Sequence, residues 1–213
     1  MNPGRALSLF WRRALAVAAR APFTTVLELT ILGIASTNGS AMGILSTAIR
    51  REWGFDPLHF WQGHWHSLAT GAVLVRNAPM LAGILGFLTV SVGACEWRLG
   101  TRRAILLLLL AHVSTLLVTA ALAYGLHSTG VPLPQSWAPD GDVGASFGGF
   151  GCLGGWVRHS PARLRWLAFI TVALLAKLVI FPEWFGDVGH LIAFYAGMLL
   201  DRFLPAPQRA TEA

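Results

Sequence analysis

Apolar residues in this chain come in long runs, and the polar residues between them cluster in short, arginine-bearing stretches. The run "AILLLLLAHVSTLLVTAALAYGL" at 104–126 approaches the ~20 residues that cross a bilayer as a helix. Five further segments fit beside it, at 24–45, 79–95, 143–157, 164–181 and 188–204. The second, fourth and sixth in chain order are short, and the glycine-rich fourth is weak by hydropathy alone. The pattern predicts an all-α, polytopic bundle of six transmembrane helices forming one membrane domain over 24–204. A basic amphipathic head at 1–23 is expected to lie on the membrane surface, with a tail at 205–213. Only six apolar residues separate Arg13 from Arg20, too few for the core of a cleaved signal peptide.

Composition agrees with that picture. Of 213 residues, 54% are hydrophobic and 12% charged, about half the charged share of soluble domains. The net charge of +6 serves anchoring and orientation, because the arginines sit at segment ends; nucleic acid is not an expected partner. Arg5, Arg12, Arg13 and Arg20 precede the first segment, and Arg98, Arg102 and Arg103 join the second to the third. Arg158, Arg163 and Arg165 join the fourth to the fifth, and Arg202 and Arg209 follow the sixth. With six spans these share one side, and both termini are expected in the cytoplasm of a multi-pass protein of a bacterial plasma membrane. The opposite side has Arg50, Arg51 and Arg76 in a long first loop. Lys177, near the outer end of the fifth segment, is expected to snorkel. Cys95 and Cys152 are the only cysteines, and free thiols are expected.

The first outer loop, 46–78, is too polar to span but rich in aromatics. Trp53, Phe55, Phe60, Trp61 and Trp65 suit an interface, so this loop is expected to be partly embedded against the bundle. A short echo joins two other places: "DVGAS" at 142–146 and "DVGHL" at 187–191. If each aspartate caps a helix entering from the outer side, Ser146 and His190 fall at similar depth, roughly 5 Å below the first turn.

A serine becomes a nucleophile when a base removes its proton, and histidine is the usual base. Small residues at spacing four let helices approach closely in a membrane. Gly144, Gly148, Gly151 and Gly155 offer such a face on one helix, and Gly189, Ala193 and Gly197 on the other. The competing reading makes Ser146 a packing residue or a donor to its own helix. An intramembrane histidine weighs the other way, since ionisable groups there are costly and serve function.

Four motifs, in order, resemble the rhomboid intramembrane proteases. "DVGASFGGFG" is similar to that family's Gly-x-Ser-Gly and following aromatic, and "GHLIAFYAG" to its last-helix histidine with small residues at plus three and plus seven. "WHSLAT" is similar to its Trp-Arg-x-x-Thr, with Trp65 and Thr70 kept and His66 in place of arginine. "EWRLG" is similar to its Glu-x-x-Leu-Gly, carried by Glu96 and Gly100. The resemblance covers 24–204. It implies a serine endopeptidase that cuts transmembrane substrates with a Ser146/His190 dyad. Gly144 would support the oxyanion site, and Phe150 would pack on the histidine. Trp65, Thr70, Glu96 and Gly100 would be structural. The implied partners are the lipid bilayer and transmembrane protein substrates or clients, and no cofactor is implied.

Departures accompany the match. The family's second-helix histidine and asparagine, which help hold the oxyanion, correspond to Met80 and Ile84, and its glycine after the serine is Phe147. The loop before the fourth segment is long and contains Pro132 and Pro134. A non-cutting, rhomboid-like binder of transmembrane segments is therefore the alternative function. A small transporter or channel lacks support, with few intramembrane charges and no inverted repeat. His59, His64 and His66 raise a metal site, but no carboxylate or cysteine completes a recognised spacing and no metal is expected. His112 is expected to bond between helices near Ser114 and Thr115, Glu28 to be interfacial, and Glu96 to brace the turn beside Arg98.

Overall fold

A computed structural model describes residues 19–130 and 141–205; the expectations for 1–18, for Pro132 and Pro134 and for the end of the tail lie outside them. The described residues are helical, with two isolated antiparallel bridges, Ile44 to Asn77 and Phe55 to Asp142, and no strand. In chain order the helices are α1 Pro22–Thr37, α2 Thr47–Trp53, α3 Pro57–Phe60, α4 Ser67–Val73, α5 Ala78–Leu99, α6 Thr101–Ser128, α7 Ser146–Arg158, α8 Arg163–Ile180 and α9 Trp184–Leu200. Two of them, α5 and α6, are long and apolar enough to cross a membrane, while α1 and α9 are apolar but shorter.

Local chemistry sets the boundaries. Helix α1 starts at Pro22, where a missing N–H costs nothing. Its next two N–H groups, of Phe23 and Thr24, both donate 2.9 Å bonds to the Glu96 carboxylate, which also accepts the Thr24 and Thr101 hydroxyls at 2.8 Å. Glu96 thus closes the start of α1 and braces the α5–α6 turn together. Asn77 caps α5, its side-chain oxygen accepting from Met80 N. Gly100, at φ +89°, makes the sharp turn from α5 into α6. Helix α1 ends at Thr37 rather than near 45, because Asn38 and Gly39 (φ +80°) turn the chain and the Asn38 side chain accepts from Ser40 N.

Helix α7 stands at the centre, packed on α5, α6 and α9. The glycines divide that work differently from the expected seam. Gly148 and Gly155 face Leu108 and Leu107 of α6, not α9. Gly144 precedes the helix altogether, at φ +121°. The contact with α9 runs through Gly151 and Gly154: a Cβ on Gly197 would stand 2.0 Å from the Gly151 carbonyl oxygen, and one on Gly154 2.1 Å from that of Phe194. Gly151 also meets Ala111 of α6, and Ala193 is buried as expected. By contrast α8 buries only Ile170 and Leu174.

The first loop is folded onto this bundle. Phe55 and Phe60, expected at an interface, are buried in a cluster with Leu116, Ala120, Phe147 and Phe185. Trp53, Trp61 and Trp65 are exposed. Glu28 is not merely terminal to α1, since it accepts a 2.7 Å bond from Thr89 of α5.

Replacing Gly154 by valine is expected to force α7 and α9 apart and to destabilise the fold by ~2 kcal/mol or more. Gly125→Ala, where an added Cβ meets open space, should stay within about 1 kcal/mol of wild type. Thermal unfolding in detergent compares the two.

Candidate active site

Ser146 is the first residue of α7 and His190 lies about a turn and a half inside α9. Their side chains meet: His190 Nε2 and Ser146 Oγ are 2.9 Å apart. For the hydroxyl to donate, Nε2 must be bare and the ring proton must sit on Nδ1. Both residues are half-buried. The imidazole is held between two rings, Phe150 at 4.5 Å and Phe147 at 5.4 Å between centroids. Phe147 fills the space over Gly189, where a Cβ would be 2.4 Å from the ring. A large residue after the serine is therefore matched by a glycine just before the histidine.

The aspartates do not cap as expected. Ala145 occupies the cap position of α7, and Asp142 instead pairs its backbone with Phe55, N–H to carbonyl both ways at 2.8 Å. Asp187 lies inside the first turn of α9, where its carboxylate accepts from Glu183 N at 2.8 Å and pairs with Lys177 at 2.7 Å. Lys177 also meets Glu183 at 2.8 Å, so it is paired rather than merely snorkelling. Neither aspartate is placed as a third member of a triad.

Ser146 opens α7, and the first backbone bond of that turn runs from Gly149 N to Ala145 O. The N–H groups of Ser146, Phe147 and Gly148 come before it and carry the positive end of the helix dipole. They can receive negative charge on an oxygen beside Oγ. Met80 and Ile84 do face the approach to this turn: an added Cβ on Gly144 would meet Met80 Cε at 2.9 Å and Ile84 Cδ1 at 3.6 Å. No side-chain donor comes from either.

Arg50, Arg76, Met80, Asp142, Glu183 and Gly186 are among the residues lining a cavity of about 470 Å³, which neither Ser146 nor His190 lines directly. Gly186 joins it to the imidazole, since a Cβ there would lie 3.9 Å from His190 Cε1. No family profile matches the chain. Nor does any curated protein match it in sequence.

The remaining expected residues are placed as follows. Trp65 is exposed, and Thr70 donates to the Trp53 carbonyl at 2.6 Å. His66, in the arginine's place, meets the Glu52 carbonyl at 2.8 Å. His112 makes the interhelical bond expected of it, to the Leu68 carbonyl of α4 at 3.2 Å. His59, His64 and His66 stack loosely, 5.6 and 5.9 Å between successive rings, and no group of three or more potential ligands is placed to hold a metal among the described residues. Cys95 and Cys152 are free and buried. The cavity's charged wall, whose members lie far apart in the chain, and the Gly154 contact leave no mark in the sequence pattern.

Burial pushes the Asp142 carboxyl up to about 7, assisted by the Glu183 carboxylate and opposed by the Val143 N–H. A carboxyl raised on folding stabilises the fold below its usual value near 3.8, and that contribution is lost as pH rises through about 7. Wild type should therefore lose unfolding temperature between pH 5 and pH 8, and Asp142→Asn should lose less over that range.

Proposed function

We propose that this chain is a six-span, rhomboid-like integral membrane protein, with both termini cytoplasmic, that cleaves transmembrane substrates as a Ser/His serine protease. The observation that carries the reading is the 2.9 Å contact between Ser146 and His190 across two helices. A hydroxyl bonded to a bare imidazole nitrogen is the arrangement that activates a serine.

In this reaction Ser146 Oγ attacks the scissile carbonyl carbon as its proton passes to His190 Nε2. The carbonyl oxygen becomes an oxyanion, received by the free N–H groups at the start of α7. The tetrahedral intermediate collapses, the C–N bond breaks, and His190 returns the proton to the leaving amine. Water then enters from the cavity, gives a proton to His190 and hydrolyses the acyl-enzyme, restoring Ser146. Phe147 and Phe150 keep the ring in the plane that serves both transfers. Asp187 takes no part, because Lys177 and the Glu183 N–H occupy its carboxylate.

Met80 and Ile84 favour a second reading, in which the protein binds transmembrane segments without cutting. The loss of one oxyanion donor costs about 10²–10³ in rate in a soluble serine protease.

Reconstituted in vesicles with single-span substrates, wild type should cleave, and Ser146→Ala and His190→Ala should each lose ~10³-fold or more. The double variant should be no worse than either, as for residues acting as a unit. Cleavage that survives Ser146→Ala contradicts the protease. Binding of the substrates by folded wild type, with no cleavage, supports the second reading.

A further inference from the structure

Opposite the Ser/His end, the same helices are joined again around one carboxylate. Asp201, just past the end of α9, is fully buried. Its Oδ1 accepts from Arg103 Nε at 2.7 Å. Its Oδ2 accepts from Arg158 Nη1 at 2.8 Å and from His159 Nε2 at 2.7 Å. Its backbone carbonyl accepts from Arg103 Nη2 at 2.7 Å, and Arg103 Nη1 reaches the Pro205 carbonyl. Arg103 belongs to the first turn of α6, while Arg158 and His159 end α7. Arg98, from the end of α5, donates to the His159 carbonyl at 2.5 Å.

We propose that this cluster is the register clamp of the Ser146/His190 pair, with Asp201 as its positioning residue. The inference rests on the proposed dyad. Ser146 opens α7 and Arg158 closes it, about 18 Å apart at 1.5 Å per residue. His190 and Asp201 are about 16 Å apart on α9 by the same measure. The two helices are therefore joined at both ends of one shared length, by the dyad at one end and the carboxylate at the other.

Between those ends they meet through glycine and backbone, at Gly151 and Gly197 and at Gly154 and Phe194. Side chains also pack across the seam, Phe147 over Gly189 and Phe150, Leu153 and Val157 in one cluster with Leu191, Phe194 and Met198, but apolar contacts of this kind carry no direction. A buried ion pair is a weak stabiliser, and its best-attested use is to fix register. The directional bonds at Asp201 supply what the seam lacks. A shift of about 1 Å along α9 would misalign His190 with Ser146, and misplacement on that scale costs roughly 10²-fold in rate.

Two readouts test the clamp, and one of them does not depend on catalysis. The first is the ring ¹⁵N signal of His190 in histidine-labelled protein, identified by its loss in His190→Gln. The second is inactivation by a fluorophosphonate, resolved into its maximal rate and its half-saturating concentration. Asp201→Asn and Arg158→Gln should move the His190 signal towards that seen in Ser146→Ala. They should lower the maximal inactivation rate about 10–100-fold at an unchanged half-saturating concentration. Arg158→Lys, which keeps the charge, should restore both.

A folded Asp201→Asn or Arg158→Gln protein with a wild-type His190 signal overturns the clamp. So does a loss that Arg158→Lys fails to restore. Should Asp201→Asn not fold, Arg158→Gln decides, because Arg158 is the more exposed partner and its removal leaves the Arg103 contact in place. If wild type itself resists the fluorophosphonate, the dyad reading fails, while the His190 signal still decides the clamp.

Discussion

Helix α7 can sit at the centre of this bundle only because glycines let other backbones touch it. A Cβ at Gly154 would lie 2.1 Å from the Phe194 carbonyl oxygen, and one at Gly151 would lie 2.1 Å from the Ala111 methyl. Apolar helices in lipid gain little by hiding apolar side chains from one another, so close van der Waals contact has to hold them together. The approach of α9 to α7 brings an imidazole at one end within 2.9 Å of a hydroxyl at the other helix's start. With larger residues at these positions the same side chains would stand too far apart for proton transfer.

Polar contacts add directional bonds to this packing, and they sit at helix ends. Glu96 fastens α1 to the α5–α6 turn through three bonds from Phe23 and Thr24, and a fourth from Thr101 braces the turn itself. Asp201 gathers α6, α7 and α9. At the opposite end, the bridge between Phe55 and Asp142 stitches the first loop to the segment that leads into α7. Phe55 and Phe60 then bury that loop against α6 and Phe185, which leaves a cavity with charged walls beside His190.

Much of this is legible in sequence, and the failures share a cause. Long apolar runs mark α5 and α6 because hydropathy reads length and composition, and α8 and α9 fall within a few residues of expectation, whereas α1 stops well short because Asn38 and Gly39 turn the chain. The meeting of Ser146 with His190 is legible from the echoed "DVG", although the aspartates do not mark equivalent positions. Asp142 lies four residues before α7, in a bridge, and Asp187 lies inside α9. The two helices are staggered by about a turn and a half, which an echo cannot reveal. The glycine face is misassigned because residues four apart mark a stripe but not the neighbour it meets. Gly148 and Gly155 turn to α6, and Gly154, outside that stripe, turns to α9. His112, Glu28 and Asp201 find partners 44, 61 and 98 residues away, and local spacing holds no trace of such pairs.

Everything proposed for this chain depends on Ser146 being a nucleophile activated by His190. The most direct measurement is mass mapping of the protein in lipid vesicles after reaction with a fluorophosphonate. The expected result is one covalent adduct, on the peptide that carries Ser146, and its absence in a folded His190→Ala variant. Folded wild type with no adduct on Ser146, or equal labelling of His190→Ala, would contradict it.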